Sequence, residues 1–165
     1  MCIRDRLKEV PQSPKYHPEG NVWNHTMLVL DEAAVVKDSV SDPEAFMWGA
    51  LLHDIGKAST TRSRKGKITA YGHDKEGARM VKDFFAYFDT PPDLPEMVTA
   101  LVKWHMQPLY VEKDLPFGDI QAMKEQLEVR EIALLSLCDR LGRTGADKKK
   151  EKEMIRLFLQ KCGES

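Results

Sequence analysis

Cysteine is scarce in this sequence of 165 residues, and its distribution excludes two kinds of structure. The three cysteines, Cys2, Cys138 and Cys162, are an odd number, and none belongs to a Cys-x-x-Cys pair. A small protein held together by disulfides needs more cysteines, and a structural zinc site needs closely spaced thiolates. We therefore expect a protein of the reducing cytoplasm without structural disulfides.

The sequence also lacks a strong net charge, a long apolar run and internal repeats. Its formal net charge of -1 excludes a uniformly basic protein that coats nucleic acid, although a local basic patch is compatible with it. No apolar segment is long enough to cross a membrane, and no signal-peptide pattern opens the chain. The length predicts one hydrophobic core, and 42% hydrophobic with 31% charged residues is typical of a soluble globular domain.

Helical patterns account for most of the chain and predict an all-α fold of about six or seven helices. Asn21 and Asp42-Pro43 are helix-start signals, because each offers a side chain that can cap the first turn. Residues 11–20 hold three prolines and a glycine and are predicted to form a loop, and residues 58–72 a basic loop or small hairpin around Lys65-Gly66. The predicted helices span residues 22–39, 42–56, 73–88, 95–106, 119–127, 129–142 and 147–161.

The chain is expected to have three parts. Its first six residues, Met-Cys-Ile-Arg-Asp-Arg, show neither periodicity nor a cap, and we expect residues 1–6 to be a vector-derived or read-through scar. Residues 7–145 should form the folded domain, and residues 146–165 a charged C-terminal helix that packs on the domain or extends it. A scar would also fit a chain that is part of a larger polypeptide.

Imidazole and carboxylate side chains recur on the inward faces of separate helices. His25, His105 and Asp139 lie on apolar helix faces, and His53 and Asp54 are adjacent near the end of another helix. A lone histidine in such a position is more often a hydrogen-bonded core residue, and a lone Asp139 could pair with an arginine. Convergence from several helices is, however, a common way to build a metal site in a bundle. Nitrogen and oxygen ligands without thiolate favour Mn, Fe, Co, Ni or Zn.

The motifs around these residues resemble the HD superfamily of metal-dependent phosphohydrolases. Leu51-Leu52-His53-Asp54-Ile55-Gly56-Lys57 resembles the central motif of that family, with His25 before it and Asp139 after it. Further segments are similar to the HD domain of bacterial CCA-adding tRNA nucleotidyltransferases, and the HD modules of RNA end-healing proteins are also similar. These segments are Lys15-Tyr16-His17-Pro18-Glu19-Gly20, Trp23-Asn24-His25-Thr26, Gly72-His73-Asp74 and Lys103-Trp104-His105. The resemblance covers about residues 11–143 and implies an HD-domain helical bundle within residues 7–145.

The resemblance implies a set of metal ligands. Four residues match the core ligands of the family, and two further histidines match those of members that hold two metals, in which the aspartate of the HD pair bridges the ions. A single ion is the alternative. The core ligands would be His25, His53, Asp54 and Asp139, and the extra pair His73 and His105.

Cationic residues near the motif are candidates for substrate contact. Lys57 lies three residues after Asp54, and the two are the predicted catalytic residues, because an ammonium suits a phosphate oxygen on which charge builds up. A lysine that only caps a helix C-terminus is the alternative. The basic loop favours a polyanion such as an RNA end, or else it is a solubilising surface. The predicted substrate contacts are Lys57, Arg62, Arg64, Arg140 and Arg143, with a solvated helix face as the alternative for at least one of the last two.

The resemblance implies a phosphodiesterase or phosphatase that acts on nucleotides or RNA termini, especially 2′,3′-cyclic phosphates and 2′-phosphates. A divalent metal would activate a water as hydroxide and neutralise charge on the phosphate. A (deoxy)nucleotide 5′-phosphatase is the alternative enzyme, and oxygen chemistry at a di-iron pair is a more distant one. A non-catalytic RNA-binding HD module of a larger tRNA-processing protein is the alternative from a different class, although a purely structural domain has no need for six intact ligands.

Overall fold

The computed structural model of the protein describes residues 2–164, and helices form most of that range. Within it, six helices contain 10 to 15 residues, in agreement with the predicted all-α bundle, and four shorter α-helices and one 3₁₀ helix (Lys37–Ser39) accompany them. None of these helices is long and apolar enough to cross a membrane. The long helices are α2 (Val22–Val36), α3 (Pro43–Leu52), α5 (His73–Phe85), α6 (Asp93–Trp104), α9 (Val129–Leu141) and α10 (Lys148–Lys161). The short elements are α1 (Ile3–Lys8), α4 (Lys57–Thr60), α7 (Gln107–Glu112), α8 (Ile120–Lys124) and the strands β1 (Arg62–Arg64) and β2 (Lys67–Thr69).

Side-chain caps begin three of the long helices, and two of these caps were predicted. The side chains of Asn21 and Asp42 each accept a hydrogen bond from the backbone N–H three residues later, at 2.9 Å in both cases. Asp147 caps α10 by accepting from the backbone N–H groups of Lys149 and Lys150. Each cap satisfies a donor that the first turn of a helix leaves unpaired, which contributes about 1 kcal/mol.

Two apolar clusters fix the helices that carry the predicted ligands. In the larger one Phe46, Leu101, Ile132 and Phe158, from α3, α6, α9 and α10, are at most 1% exposed. In the second, α3, α5 and α6 pack around residues that include Val81. Burial of each large apolar side chain contributes about 1.5–3 kcal/mol, so the helix ends are held in a rigid frame.

Residues 3–8 form α1, whereas the sequence indicates no regular structure before Leu7. Leu7 is fully buried and packs with Val10 and Val22, so this segment is part of the fold. The interpretation of residues 1–6 as a scar stays a prediction, and Met1 lies outside the described residues.

Several predicted helix ends are wrong by a few residues. The helix predicted to reach residue 56 ends at Leu52, which leaves His53 and Asp54 in the turn before α4. Residues 107–118 lie outside the predicted helices, yet they begin with α7, in which Pro108 occupies the first turn, where its missing N–H costs nothing. Sequence periodicity marks the middle of a helix, whereas local hydrogen bonds decide where it ends.

The predicted small hairpin is confirmed. Strands β1 and β2 pair antiparallel, with Arg62 opposite Thr69 and Arg64 opposite Lys67. Lys65 and Gly66 form the turn with φ of 51° and 73°, the left-handed conformation that a two-residue hairpin turn requires. The hairpin projects its cations into solvent between α4 and α5.

Candidate metal centre

The six predicted ligands converge although they belong to five different helices or the turns that follow them. Each is at most 7% exposed. All six lie near helix ends, where side chains from separate helices can approach one point. His25 lies in the first turns of α2, His53 and Asp54 directly after α3, His73 at the start of α5, His105 directly after α6, and Asp139 near the end of α9.

Gly56 permits the closest approach between two of these segments. A Cβ atom at this position would overlap the backbone carbonyl oxygen of His73 and would lie 2.6 Å from the backbone nitrogen of Gly77. The turn that carries Asp54 therefore packs directly on the start of α5, which no larger residue would allow. This contact brings Asp54 to His73.

Asp54 lies at the centre of the cluster, with its two carboxylate oxygens facing different histidines. Oδ2 lies 3.3 Å from His53 Nε2 and 4.0 Å from His25 Nε2. Oδ1 lies 3.3 Å from His73 Nε2 and 3.8 Å from His105 Nε2. The carboxylate thus separates the histidines into two pairs, as a ligand between two cations would do.

Asp139 completes the side of the cluster that contains His25. Its Oδ1 accepts a hydrogen bond from His25 Nε2 at 2.8 Å, and its Oδ2 lies 3.5 Å from Arg143 Nη2. Arg143 and His25 hold the pKa of the Asp139 carboxyl well below its usual range, although burial alone would raise it. Asp139 is therefore an anionic group, as metal ligation requires.

Backbone carbonyls hold three of the histidines in one tautomer. The Nδ1–H groups of His53, His73 and His105 each donate to the carbonyl oxygen three residues earlier, at 2.8, 2.8 and 2.6 Å. The proton then resides on Nδ1, and the Nε2 lone pair points into the cluster. His53 Nε2 is buried with no hydrogen-bond partner in residues 2–164, and the Nε2 atoms of His73 and His105 are only 3.2 Å apart. Converging lone pairs repel one another unless a cation lies between them, so this donor set fits a metal.

The ionisation of the cluster also suits a cation. Burial lowers the pKa of His105 to about 4 and lowers that of His73 as well, so both rings are neutral at pH 7. Burial opposes the charge of Asp54, but the nearby charged groups, with Lys57 the largest among them, hold the pKa of the Asp54 carboxyl well below its usual range. Neutral imidazoles around a carboxylate are the form in which these groups bind metals.

His25 is the exception among these histidines. Burial opposes its protonation, but the hydrogen bond to Asp139 and the Glu19 carboxylate 2.9 Å from Nδ1 raise the pKa of His25 to about 9. Its ring is therefore protonated at pH 7 among the protein groups alone. A cation bound by His25 Nε2 must displace that proton, which couples metal affinity to pH.

Lys57 reaches the cluster from the first residue of α4. Its Nζ lies 2.7 Å from Asp54 Oδ2 and donates to Gln12 Oε1 at 2.8 Å. Gln12 is 5% exposed, and its Nε2 in turn donates to the backbone carbonyl of Asn21 at 3.4 Å. The predicted catalytic lysine is thus held against the centre by a residue that sequence reasoning missed.

The loop of residues 11–20 supplies a second group of contacts that sequence reasoning missed. Glu19 Oε1 lies 2.9 Å from the Nδ1 atoms of both His17 and His25. Burial opposes its charge, yet the contacts with these two rings, that with His25 above all, lower the pKa of Glu19 to about 2. His17 is a neighbour of the cluster and not one of the predicted ligands. The motif that includes Glu19 was visible in the sequence, but no spacing rule connects a loop glutamate to a ligand on the next helix.

The predicted substrate contacts fall into different places. Arg143 lies beside Asp139, and Arg62 and Arg64 are exposed on β1. The structure does not bring Arg140 to the cluster. Its guanidinium instead pairs with Glu112 Oε2 at 3.2 Å and Glu151 Oε2 at 2.9 Å, which ties α7, α9 and α10 together.

The geometry predicts a structural role for Arg140. We expect Arg140→Ala to lower the free energy of unfolding by about 3 kcal/mol, because two largely buried carboxylates lose their shared partner. Urea denaturation measures this, with Arg156→Ala as the control, since its exposed pair with Glu153 contributes little. An Arg140→Ala chain of unchanged stability but weakened nucleotide binding would instead support a substrate contact.

Comparison with known proteins agrees with the geometry. A family model described as HD domain matches residues 22–144. The chain is 30% identical over 146 residues to the multifunctional CCA protein of Pasteurella multocida (strain Pm70), which covers 84% of this chain and 34% of that protein. It is 35% identical over 102 residues to the multifunctional CCA protein of Halorhodospira halophila, a match that covers 62% of this chain and 23% of that protein. The corresponding protein of Actinobacillus pleuropneumoniae serotype 5b is 30% identical over 101 residues, covering 61% and 24%. The chain thus spans about a third or less of the length of these relatives.

Proposed function

The chain belongs to the HD domain family, and on that premise we propose that it is a metal-dependent phosphohydrolase with two divalent cations in its buried centre. The donor set of nitrogen and oxygen suits Mn, Fe, Co, Ni or Zn. The first cation would be held by His25, His53, Asp139 and Asp54 Oδ2, and the second by His73, His105 and Asp54 Oδ1.

The two oxygens of Asp54 carry this proposal. Oδ2 lies 3.3 Å from His53 Nε2, and Oδ1 lies 3.3 Å from His73 Nε2. A carboxylate that only stabilised the fold would need one partner, whereas Asp54 meets imidazoles whose lone pairs converge on it from both sides. Such an arrangement supports a bridging role between two cations.

The remaining groups suit phosphoester hydrolysis. When bound, divalent cations supply a nucleophile at neutral pH and neutralise charge on a phosphoryl group. Lys57 Nζ, at 2.7 Å from Asp54 Oδ2, places an ammonium beside the centre, where it can contact a non-bridging phosphate oxygen. Arg143, with a side chain 32% exposed, adds a second positive group beside Asp139. Because the ligands are buried, these charges act on substrate in a medium of low dielectric constant.

The basic hairpin supports an RNA end as substrate. It lies between α4, which begins at Lys57, and α5, which begins at His73, so both of its ends adjoin the centre. Three of its four cations form no ion pair within residues 2–164, and the fourth, Arg62, donates only to backbone carbonyl oxygens. All four are therefore able to contact phosphates. We therefore propose RNA ends and nucleotides that carry 2′,3′-cyclic phosphates or 2′-phosphates. The hairpin cations are Arg62, Arg64, Lys65 and Lys67.

A second candidate function follows from the relatives. They are named multifunctional CCA proteins, and this chain spans only about a third or less of each. A non-catalytic RNA-binding module of a larger polypeptide is therefore the alternative. In either case we propose a cytoplasmic location, because the free thiols of Cys2, Cys138 and Cys162 suit a reducing compartment.

Metal content and hydrolysis of the purified full chain test the proposal together. Protein prepared without chelator is expected to hold two divalent ions. A content of one ion per chain would contradict the assignment of His73 and His105 as ligands of a second cation. With Mn²⁺, Ni²⁺ or Co²⁺ the chain should hydrolyse bis-p-nitrophenyl phosphate and nucleoside 2′,3′-cyclic phosphates. A folded chain that binds RNA but hydrolyses neither substrate with any of these metals would contradict the proposed phosphohydrolase activity. It would favour the non-catalytic RNA-binding module.

The substrate is tested by comparing substrates at several salt concentrations. An oligoribonucleotide that ends in a 2′,3′-cyclic phosphate should have a higher kcat/KM than the mononucleotide at low salt. This advantage should shrink as salt rises, because the contacts of the hairpin with the phosphate backbone are electrostatic. A preference for nucleoside 5′-monophosphates would instead identify a nucleotide phosphatase.

A further inference from the structure

His25 differs from the other histidines of the centre in the group that lies beside its Nδ1 atom. The other three direct Nδ1 to a backbone carbonyl. His25 Nδ1 lies 2.9 Å from Glu19 Oε1, while its Nε2 lies 2.8 Å from Asp139 Oδ1. The His25 ring thus stands between two carboxylates, only one of which belongs to the predicted ligand set.

Glu19 is held firmly in this position. Its side chain is 3% exposed, and Oε1 also lies 2.9 Å from His17 Nδ1. Its Oε2 accepts a hydrogen bond from the backbone N–H of Thr144 at 3.3 Å, and its carbonyl oxygen accepts one from Asn24 Nδ2 at 3.0 Å. The loop is thereby tied to the start of α2 and to the chain after α9, the two elements that present His25 and Asp139.

We propose that Glu19 is a positioning residue of the metal centre, which orients the His25 ring and makes its Nε2 atom a stronger metal ligand. The proposal rests on the metal centre proposed above, although not on the identity of the substrate. A carboxylate in this relation to a ligating imidazole contributes on the order of 10–100-fold to metal affinity. The effect should be confined to the cation that His25 holds, because the other would bind histidines with uncharged backbone partners.

Calorimetric titration of the full chain with Mn²⁺, after removal of bound metal, tests this role. Glu19→Gln keeps the shape and an acceptor oxygen but removes the charge, and it should weaken one of the two binding events on the order of 10–100-fold. The other binding event should be unchanged. Glu19→Asp keeps the charge but moves it away from His25 by the length of one methylene group, so an intermediate loss of Mn²⁺ affinity is expected. Glu9→Gln, an exposed change of the same kind at the end of α1, is the matched control and should bind as the wild type.

Three outcomes would overturn the proposal. Unchanged Mn²⁺ affinities in Glu19→Gln, with a lowered melting temperature in chelator, would show that Glu19 only fastens the loop. Equal weakening of both binding events would contradict a role specific to His25. If Glu19→Gln did not fold, full Mn²⁺ affinity in Glu19→Asp would contradict the proposal, because it would show that the position of the Glu19 charge does not affect metal binding. Absence of Mn²⁺ binding by the wild-type chain would instead locate the failure in the proposed metal centre.

Discussion

Replacement of Asp54 by asparagine is expected to remove metal-dependent phosphoester hydrolysis almost completely. The Asp54 carboxylate faces Lys57 at 2.7 Å and four imidazole nitrogens within 4.0 Å. An asparagine amide is neutral, and its NH₂ group cannot ligate, so at least one proposed cation loses its bridge. We expect kcat/KM for bis-p-nitrophenyl phosphate with Mn²⁺ to fall on the order of 10³-fold or more. Metal analysis of the same protein should show fewer ions per chain.

Asp89→Asn is the matched control for this experiment. Asp89 is exposed in the connection between α5 and α6, so the same loss of one charge should leave hydrolysis and metal content unchanged. Circular dichroism establishes whether the Asp54→Asn chain is folded. A folded variant that retains full metal-dependent turnover would show that hydrolysis does not occur at this centre.

Replacement of Lys57 by methionine should separate catalysis from metal binding. Methionine keeps most of the side-chain length but removes the ammonium that lies 2.7 Å from Asp54 Oδ2 and donates to Gln12. If Lys57 stabilises charge on the phosphate, kcat should fall on the order of 10²–10³-fold. Mn²⁺ affinity should be equal or higher, because a positive charge beside a metal-binding carboxylate has been removed.

Lys82→Met provides the control for a lost lysine, since Lys82 is exposed on α5. It should leave kcat, metal affinity and stability unchanged. An unchanged kcat in Lys57→Met, accompanied by lower stability, would assign Lys57 only to the ion pair with Asp54. A loss of Mn²⁺ affinity as large as the loss of kcat would contradict the proposed division between binding and catalysis.

Local chemistry explains why part of this site could be predicted from sequence. Helix periodicity and the caps at Asn21 and Asp42 depend on neighbours a few residues away, so they predicted the all-α class and the starts of two helices. The adjacent His53-Asp54 pair lies in a continuous motif of a known family. The same motif contains Gly56, whose missing side chain allows the turn to meet α5.

Contacts between distant segments could not be predicted in the same way. Arg140 follows Asp139 in sequence, but a side chain one residue further along a helix points about 100° away, toward α7 and α10. Its partners, Glu112 and Glu151, are distant in the chain, so its pairing followed only from helix packing. The end of α3 at Leu52 was equally hidden, because a turn that packs against another helix can replace a helical turn with little change in sequence pattern.

The sequence by itself determined the types of the candidate ligands, the helical class and the family of the chain, because these depend on residue identity and short spacings. Tertiary structure alone decided that the two oxygens of Asp54 face different histidine pairs, and that the N-terminal loop brings Glu19 to His25 and Gln12 to Lys57. Both arrangements join segments that are far apart in the chain. Their relative positions are fixed by the packing of several apolar helix faces at once, which no short stretch of sequence encodes.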